Sequence, residues 1–149
     1  MTKPSLSTSR SLPIALLRAR ERVMGPIRNM LADVDITEQQ WRVLRVLQEQ
    51  GAMEPTRIAD EACLLLPSLT RILQKLEEKQ LIVRAQDQTD RRKQIITITS
   101  AGAAVITANL ATSVALLEQV RDRMGADRYD QLLDLLNELH GTELELGKE

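Results

Sequence analysis

Residues 67–79 read PSLTRILQKLEEK, and this stretch decides the fold. At about 100° per residue, a helix over these residues places its apolar side chains on one stripe: Leu69, Ile72, Leu73 and Leu76. The opposite face is polar and carries Pro67, Thr70, Arg71, Gln74 and Glu78, with Lys75 beside them. Proline suits a first helical turn, because the N–H that it lacks would have no partner there. The pattern predicts a helix with one face in the core and one face of hydrogen-bonding groups.

The polar face of this helix has side-chain types that bind nucleic acid. Ser68 and Thr70 can reach phosphate oxygens. Arg71 can make two hydrogen bonds to guanine, and Gln74 can make two to adenine. A solvated face has a similar composition and is the simpler interpretation of this helix alone. Upstream, Pro55 marks the first turn of a shorter helix, whose Ile58, Ala59 and Ala62 are expected to point inward. This helix would form the first half of a helix-turn-helix.

Two strands joined by a basic tip follow, and they favour nucleic-acid binding over a solvated face. LIVRAQ (residues 81–86) and QIITIT (residues 94–99) alternate in character, which predicts a β-hairpin across DQTDRRK (residues 87–93). The tip carries Asp90, Arg91, Arg92 and Lys93. Arginine suits a narrow minor groove, where the negative potential is enhanced, and Asp90 can hold one guanidinium while its neighbour inserts. Such a hairpin is a wing, and it predicts a DNA-binding module.

The segment before the helix-turn-helix predicts a tail and two helices. Residues 1–10 are rich in Ser, Thr and Pro and are expected to be a flexible tail. Apolar residues then recur at helical spacing over about residues 11–34. Gly25 and Pro26 interrupt this first helix, so a kink or a break is expected there. Thr37 and Gln40 form a capping-box pattern for a helix over about residues 38–50, and Gly51 is placed to end it.

Two more helices are predicted after the hairpin. Thr99 can cap a helix over about residues 101–124, whose candidate buried positions are Val105, Leu110, Val114, Leu117 and Val120. Gly125 ends that helix, and Asp127 can cap a last one. The last helix has an apolar surface too broad for a solvated helix, formed by Leu132, Leu133, Leu135, Leu136 and Leu139. This surface needs a partner, either a second protein chain or another part of this chain.

Length and composition fit one domain with an aliphatic core. The 149 residues include no Phe, one Trp and one Tyr. The net charge is −1, but residues 1–53 carry eight basic and five acidic side chains, whereas residues 101–149 carry four and nine. A local basic face can therefore bind phosphate. No apolar run approaches the roughly 18 residues of a membrane span, and the N-terminus lacks a signal-peptide core, so a cytoplasmic protein without membrane contact is expected.

Few residues suggest chemistry other than binding. Cys63 is the only cysteine, which excludes an intrachain disulfide, and it is expected to be a small buried hydrophobe. A thiol-based redox switch at Cys63 is an alternative. His140 is the only histidine, and there is no glycine-rich phosphate loop. The sequence therefore does not favour an enzyme, and it predicts no cofactor and no metal site.

The succession of a PSLTRIL helix, a DRRKQIITIT wing and a following TSAG resembles the MarR family of bacterial transcription regulators over nearly the whole chain. TEQQWRVLRVL, ACLLLPSLT and DRRK are similar to the subgroup that regulates 4-hydroxyphenylacetate and homoprotocatechuate catabolism. The resemblance implies a mainly α fold with a small β-hairpin wing. Residues 11–149 would be a single domain, with the winged helix-turn-helix at about 37–100 and dimerisation helices at about 11–34 and 101–146. Two chains would place their recognition helices on successive major grooves of a near-palindromic operator.

A regulator needs an input, and Trp41 with Arg45 on one helix offers an indole wall beside a bidentate partner for a carboxylate. The resemblance implies that an aromatic acid effector is contacted by Ser11, Glu38, Trp41 and Arg45. Arg45 would then bind the carboxylate, and Glu38 would accept the phenol proton. The other candidate arginines are Arg18, Arg20, Arg22 and Arg42, and most of them are expected to be solvated or paired with Glu21, Glu38 or Glu49.

Four positions depart from the subgroup pattern. Pro13 stands where relatives can carry an amide, and a leucine replaces an aromatic residue of the fifth helix. Leu66 precedes Pro67 where relatives have arginine, and Arg71 replaces a glycine, so an altered operator is expected. The leading hypothesis is a dimeric repressor released from double-stranded DNA by an aromatic acid. A winged-helix protein-interaction module that never reads DNA is a further alternative, although it would not need Arg71, Gln74 and the arginines of the tip.

Overall fold

The fold is mainly α with one β-hairpin, as predicted. The computed structural model describes residues 7–145, which contain six α-helices and two strands. The elements are α1 (Leu12–Ala32), α2 (Glu38–Gln50), α3 (Pro55–Ala62), α4 (Leu66–Glu78), β1 (Ile82–Gln86), β2 (Gln94–Ile98), α5 (Ser100–Met124) and α6 (Ala126–His140).

The chain divides within α5 into two compact units, residues 1–113 and 114–149. The first unit contains the helix-turn-helix and the hairpin. Its core is mostly aliphatic and includes side chains from α2, α3, α4 and both strands, among them Leu44, Leu47, Ile58, Leu69, Leu73, Leu76, Ile82 and Ile96. In the apolar stripe of α4, Leu69, Leu73 and Leu76 are buried and Ile72 is half-buried. Truncating one of the buried leucines to alanine costs about 2–5 kcal/mol in a typical core.

The start of the described chain differs from the predicted tail. Thr8–Arg10 form a short 3₁₀-helix, and the Ser7 side chain accepts a hydrogen bond from the backbone N–H of Ser9. Residues 1–6 lie outside the described residues, so the prediction of a flexible tail there stays a prediction.

Of the kink or break predicted at Pro26, the break does not occur, because α1 is continuous from Leu12 to Ala32, and the kink stays a prediction. Proline removes a single backbone hydrogen bond from the helix. The next turn is anchored in the core by the buried side chains of Ile27 and Leu31, which hold the helix together across this position.

Local signals fix both ends of α2, which has the predicted bounds. The Thr37 hydroxyl accepts from the Gln40 N–H, and the Gln40 side chain accepts from the Thr37 N–H, each at 3.1 Å, so the capping box is complete. Gly51 ends the helix with φ +88°, a backbone conformation that favours glycine.

The turn between α3 and α4 contains Cys63, which the sequence analysis expected to be buried. Cys63 is exposed. It is the C-cap residue of α3, directly after the buried Ala62, and it adopts the left-handed conformation with φ +55°. The side chain therefore leaves the packed face of the helix, and the expectation of a buried cysteine was wrong.

The hairpin is antiparallel and pairs Ile82 with Ile98 and Arg84 with Ile96. Met53, just before α3, adds a bridge to Ile96 with hydrogen bonds of 3.2 and 2.9 Å, so the hairpin is tied to the helix-turn-helix. The sequence did not indicate this bridge. Thr99 caps α5 as predicted, because its hydroxyl accepts from the Gly102 N–H at 3.1 Å.

Two expectations for α5 and α6 need correction. Val114 and Leu117 of α5 are exposed and Val105, Leu110 and Val120 are only half-buried, whereas Ile106 and Ser113 are buried. The cap of α6 is Gly125 with φ +89°, and Asp127 lies in the first turn without a side-chain capping bond. Glycine takes the cap position because it adopts this φ without strain.

The apolar surface of α6 is not buried within the chain. Its leucines are all exposed: Leu132, Leu133, Leu135, Leu136 and Leu139. This exposure contradicts the alternative that these residues pack inside the chain. The helix ends at His140, earlier than the predicted limit of about 146, and residue 146 lies outside the described residues.

The length and hydropathy of α5 differ from what was expected from the sequence. Ser100–Met124 is long enough, and with a mean hydropathy of 1.6 in its most apolar window also apolar enough, to cross a membrane. The expectation that no apolar run approaches such a length was wrong. The criterion concerns length and composition only, and the first turn of this helix is packed on the hairpin, where Gly102 is buried.

Candidate functional site

The polar face of α4 is exposed along its length. Its solvent-facing residues are Pro67, Ser68, Thr70, Arg71, Gln74 and Lys75. The Thr70 hydroxyl donates to the Leu66 carbonyl at 3.1 Å and keeps its lone pairs as acceptors. Lys75 lies 3.7 Å from the Glu78 carboxylate, a solvent-exposed pair of small energetic weight. These side chains are therefore available to a ligand that approaches α4.

A hydrogen bond from α2 fixes the turn that precedes α4. The guanidinium of Arg42 donates to the carbonyl oxygens of Ala62 at 2.9 Å and Cys63 at 3.5 Å. These carbonyls end α3, and an arginine there satisfies groups that the helix leaves unpaired. Arg42 was expected to be solvated or ion-paired, so its role in the helix-turn-helix was not found from the sequence.

The tip of the hairpin is held by Asp90. Its carboxylate accepts from the Arg92 backbone N–H at 3.1 Å and from the Arg92 guanidinium at 3.2 and 3.4 Å. The Arg92 side-chain and backbone hydrogen bonds, together with the nearby charge of Lys93, keep the pKa of Asp90 below its ordinary value. The Arg92 side chain remains 92% exposed, and Arg91 is exposed beside it.

Lys93 connects the tip to the helix-turn-helix. Its ammonium lies 3.5 Å from the carboxylate of Glu54, the residue that precedes α3. Within the tip, the Asp87 N–H donates to the Lys93 carbonyl at 2.9 Å. The basic tip and the polar face of α4 are thus carried by one folded unit.

Glu38, at the first position of α2, is held by two arginines of α1. Its carboxylate accepts from Arg20 at 2.6 Å and from Arg28 at 3.3 Å, and Arg28 also makes a bidentate pair with Glu21 at 2.7 and 2.8 Å. The Glu38 side chain is 12% exposed. Burial raises its pKa, but the hydrogen bonds from Arg20 and Arg28 outweigh this effect and hold the pKa below its ordinary value. Arg28 was not among the arginines that the sequence singled out.

The other predicted effector residues have separate local partners. The Ser11 hydroxyl caps α1 by accepting from the Ile14 N–H at 3.5 Å. Trp41 is 7% exposed in the core, and half-buried Arg45 donates to the Gln48 side chain at 3.4 Å.

Two cavities lie near these residues. A cavity of about 280 Å³ is lined by Glu38 together with Arg28, Ala32, Ile36, Thr37 and Gln39. A wider one of about 720 Å³ runs along α1 from Leu17 to Asn29. Of the four predicted effector residues, only Glu38 lines either cavity, so these two cavities do not bring the four side chains together.

Lys79, just after α4, joins the recognition helix to the start of α2. Its ammonium donates to the Asp35 carbonyl and, at 3.2 Å, to the Gln40 side-chain oxygen. Gln40 is buried and is the same residue that completes the capping box. The end of α4 is thereby bonded to Gln40, which lies two residues after Glu38 in α2. This contact was also not found from the sequence.

Comparison with known proteins places the chain in a family. The model of the MarR family matches residues 36–93. The HTH-type transcriptional regulator FarR of Neisseria gonorrhoeae is 35% identical over 91% of this chain and 93% of its own length. The chain belongs to the MarR family. A second relative, the homoprotocatechuate degradative operon repressor of Escherichia coli, is 38% identical over 86% of each chain.

The fold agrees with that of solved MarR-type structures. The crystal structure of NadR in complex with 4-hydroxyphenylacetate has a TM-score of 0.81 and 34% sequence identity, and the alignment covers 96% of this chain and 100% of that one. The resemblance to the regulators of 4-hydroxyphenylacetate and homoprotocatechuate catabolism is confirmed by these relatives.

Membership in the MarR family also settles two broader questions. Its members are transcriptional regulators and not enzymes, as the sequence predicted. They are soluble DNA-binding proteins, so the apolar length of α5 does not indicate a membrane span in this family.

Proposed function

We propose that this MarR-family chain is a dimeric, cytoplasmic, sequence-specific DNA-binding repressor of an aromatic-compound catabolic operon. A phenolic or aromatic carboxylic acid releases it from a near-palindromic operator. The observation that carries the proposal is that the exposed polar face of α4 and the exposed basic tip belong to one folded unit. Similarity to an operon repressor and to a 4-hydroxyphenylacetate complex supports the regulatory part.

The DNA contacts divide between two grooves. In the major groove, Arg71 and Gln74 read base edges, while Ser68, Thr70 and Lys75 contact phosphates or neighbouring bases, and Pro67 packs closely at the start of the helix. In the minor groove the tip uses its arginines. Because Asp90 holds Arg92 near the hairpin, Arg91 is the side chain with more freedom to insert, and Lys93 contacts the backbone.

The partner for the apolar faces of α5 and α6 is a second copy of this chain. Val114 and Leu117 on α5 and the leucines of α6 are exposed in the single chain, which supports such an interface. A two-fold dimer presents two copies of α4 to half-sites about 34 Å apart on a near-palindromic operator.

The effector site uses Ser11, Glu38, Trp41 and Arg45. Since its pKa is lowered, Glu38 stays ionised and accepts a hydrogen bond from a phenol without taking its proton, which refines the role expected from the sequence. Arg45 gives up a 3.4 Å bond to the Gln48 side chain when it binds a carboxylate. The cavity beside Glu38 is small in one chain, and the second chain completes the pocket in the proposed dimer.

Binding at Glu38 reaches the recognition helix through α2. Glu38 and Gln40 lie in the first turn of α2, and Gln40 is bonded to Lys79 at the end of α4. An effector that shifts this turn therefore also shifts the anchor of α4. The effector releases DNA because it binds more tightly to the dimer in which the two copies of α4 do not fit successive grooves.

Fluorescence anisotropy on the intergenic DNA upstream of the protein's own reading frame tests the DNA part. We expect tight binding that weakens steeply with salt. Arg71→Ala should cost about 1–3 kcal/mol of binding, and Arg91→Ala or Arg92→Ala should lower the salt slope by about one unit. Arg123→Ala, which removes one exposed charge from α5, is the control and should leave binding unchanged. A protein that binds no DNA, or variants that all bind alike, would favour the protein-interaction module.

The effector part is tested by adding 4-hydroxyphenylacetate, homoprotocatechuate and related aromatic acids to the bound complex. Release by one of them in the native protein, and its loss in Arg45→Ala, is the expected result. Tight DNA binding that is indifferent to every acid would contradict the effector assignment and leave the DNA assignment standing. Oxidation of the exposed Cys63 would then be the input to test.

A further inference from the structure

The start of the recognition helix is apolar and exposed. Leu65 is 77% exposed and Leu66 is 45% exposed, and Pro67 next to them is exposed as well. These leucines lie between the fixed turn after α3 and the polar face of α4. Their side chains contribute little to the core, because the buried stripe of α4 begins only at Leu69.

Folding of the helix does not explain a leucine at this position. Leu65 is the N-cap residue of α4 and provides no side-chain hydrogen bond to the first turn. Ser, Thr, Asp or Asn at a helix N-cap is more stable than an aliphatic residue by about 1 kcal/mol. A sequence that departs from a local rule at an exposed site is often serving a function there.

The surroundings indicate which ligand these leucines contact. In a helix-turn-helix, the N-terminal residues of the second helix contact base edges in the major groove. Leu66 precedes Thr70 by four residues and Gln74 by eight, so it lies at the edge of the same polar face. The nearby cations of Arg71 and Lys75 favour a polyanion over an apolar protein or lipid surface.

We propose that Leu65 and Leu66 contact the C5-methyl groups of thymines and thereby select thymine opposite the start of α4. This inference rests on the proposed DNA binding. The thymine methyl is the apolar group that base pairs present in the major groove, and aliphatic side chains are its natural partners.

The test compares two versions of the same upstream DNA, one amplified with thymidine and one with deoxyuridine, which pairs identically but lacks the methyl group. Burying one methyl group contributes about 0.8 kcal/mol, so each lost contact should weaken binding about fourfold. Native protein should therefore prefer the thymidine DNA. A Leu65→Ala, Leu66→Ala double variant should bind both DNAs alike. Both leucines are exposed, so the variant should keep the native circular dichroism spectrum and Tm.

Leu144→Ala is the matched control, because Leu144 is 81% exposed and lies outside α4. It should retain the full preference for thymidine DNA. Any change in DNA shape caused by deoxyuridine is common to all three proteins, so the difference between them isolates the methyl contact. Equal binding of both DNAs by native protein, or an undiminished preference in the double variant, would overturn the inference alone. Binding to neither DNA would overturn the proposed function as well.

Discussion

A methyl group at Gly102 has no room in the native packing. A Cβ built there overlaps the backbone carbonyl oxygen of Leu81 and lies 2.7 Å from Cγ1 of Ile98 and 3.2 Å from the Leu81 carbonyl carbon. The Leu81 oxygen cannot easily retreat, because it accepts a hydrogen bond from the Thr99 N–H at 3.0 Å. Gly→Ala in an open helix stabilises by about 1 kcal/mol. At Gly102 overpacking should reverse the sign, with a net loss of about 1–3 kcal/mol.

Gly25→Ala is the matched control, since Gly25 also lies inside a helix but its Cβ would meet no described atom within 4 Å other than those of its chain neighbours and its own helix backbone. It should change the free energy of unfolding by less than about 1 kcal/mol, because the gain in helix propensity is opposed by Pro26, which disfavours the helical conformation of the residue before it. Both free energies of unfolding are measured by urea titration at one protomer concentration. Unchanged m-values would show that the unfolding transition is the same in each protein. If Gly102→Ala proves as stable as the native protein, the close packing of α5 against the end of β2 is wrong.

Two further predictions concern the first turn of α2. Lys79→Met removes the hydrogen bonds to Asp35 and Gln40 and should lower the free energy of unfolding by about 1–2 kcal/mol, while Lys75→Met, at an exposed pair, should change it little. For Glu38 the folded pKa lies below the unfolded value of 4.5, so its ion pairs stabilise the fold above that pH and are lost as pH falls through the folded pKa. The free energy of unfolding of Glu38→Gln should accordingly fall less steeply than that of the native protein on acidification below pH 4.5. If both proteins lose stability equally over that range, the ion pairs of Glu38 do not contribute this pH dependence.

Features that depend on nearby residues could be predicted from the sequence. The capping box of Thr37 and Gln40 and the conformational freedom of Gly51 are local, and they gave α2 its correct ends. The buried and polar faces of α4 follow from helical periodicity alone. The hairpin followed from alternation and from the basic tip, whose ion pair involves residues only two apart.

Features that depend on distant residues could not be predicted. Lys79 bonds to Gln40 across 39 positions, and Arg42 bonds to Ala62 across 20. A lysine or arginine has many possible partners in a sequence, and only the tertiary fold selects one. Arg28 was overlooked for the same reason, since its two carboxylates come from different helices. The four predicted effector residues were chosen by resemblance, and their common pocket remains part of the proposal.

The errors for α5 have a single physical cause. Periodicity shows that a helix has an apolar face, but it does not show what covers that face. The same lack of a covering partner explains why Val114 and Leu117, predicted to be buried, are exposed and why the helix has the composition of a membrane span. In the proposed dimer the second chain supplies the cover, so burial of these side chains, and the stability that it brings, would depend on association. Folding and DNA recognition would then be linked, because the same dimer that completes the apolar core also sets the spacing of the two copies of α4.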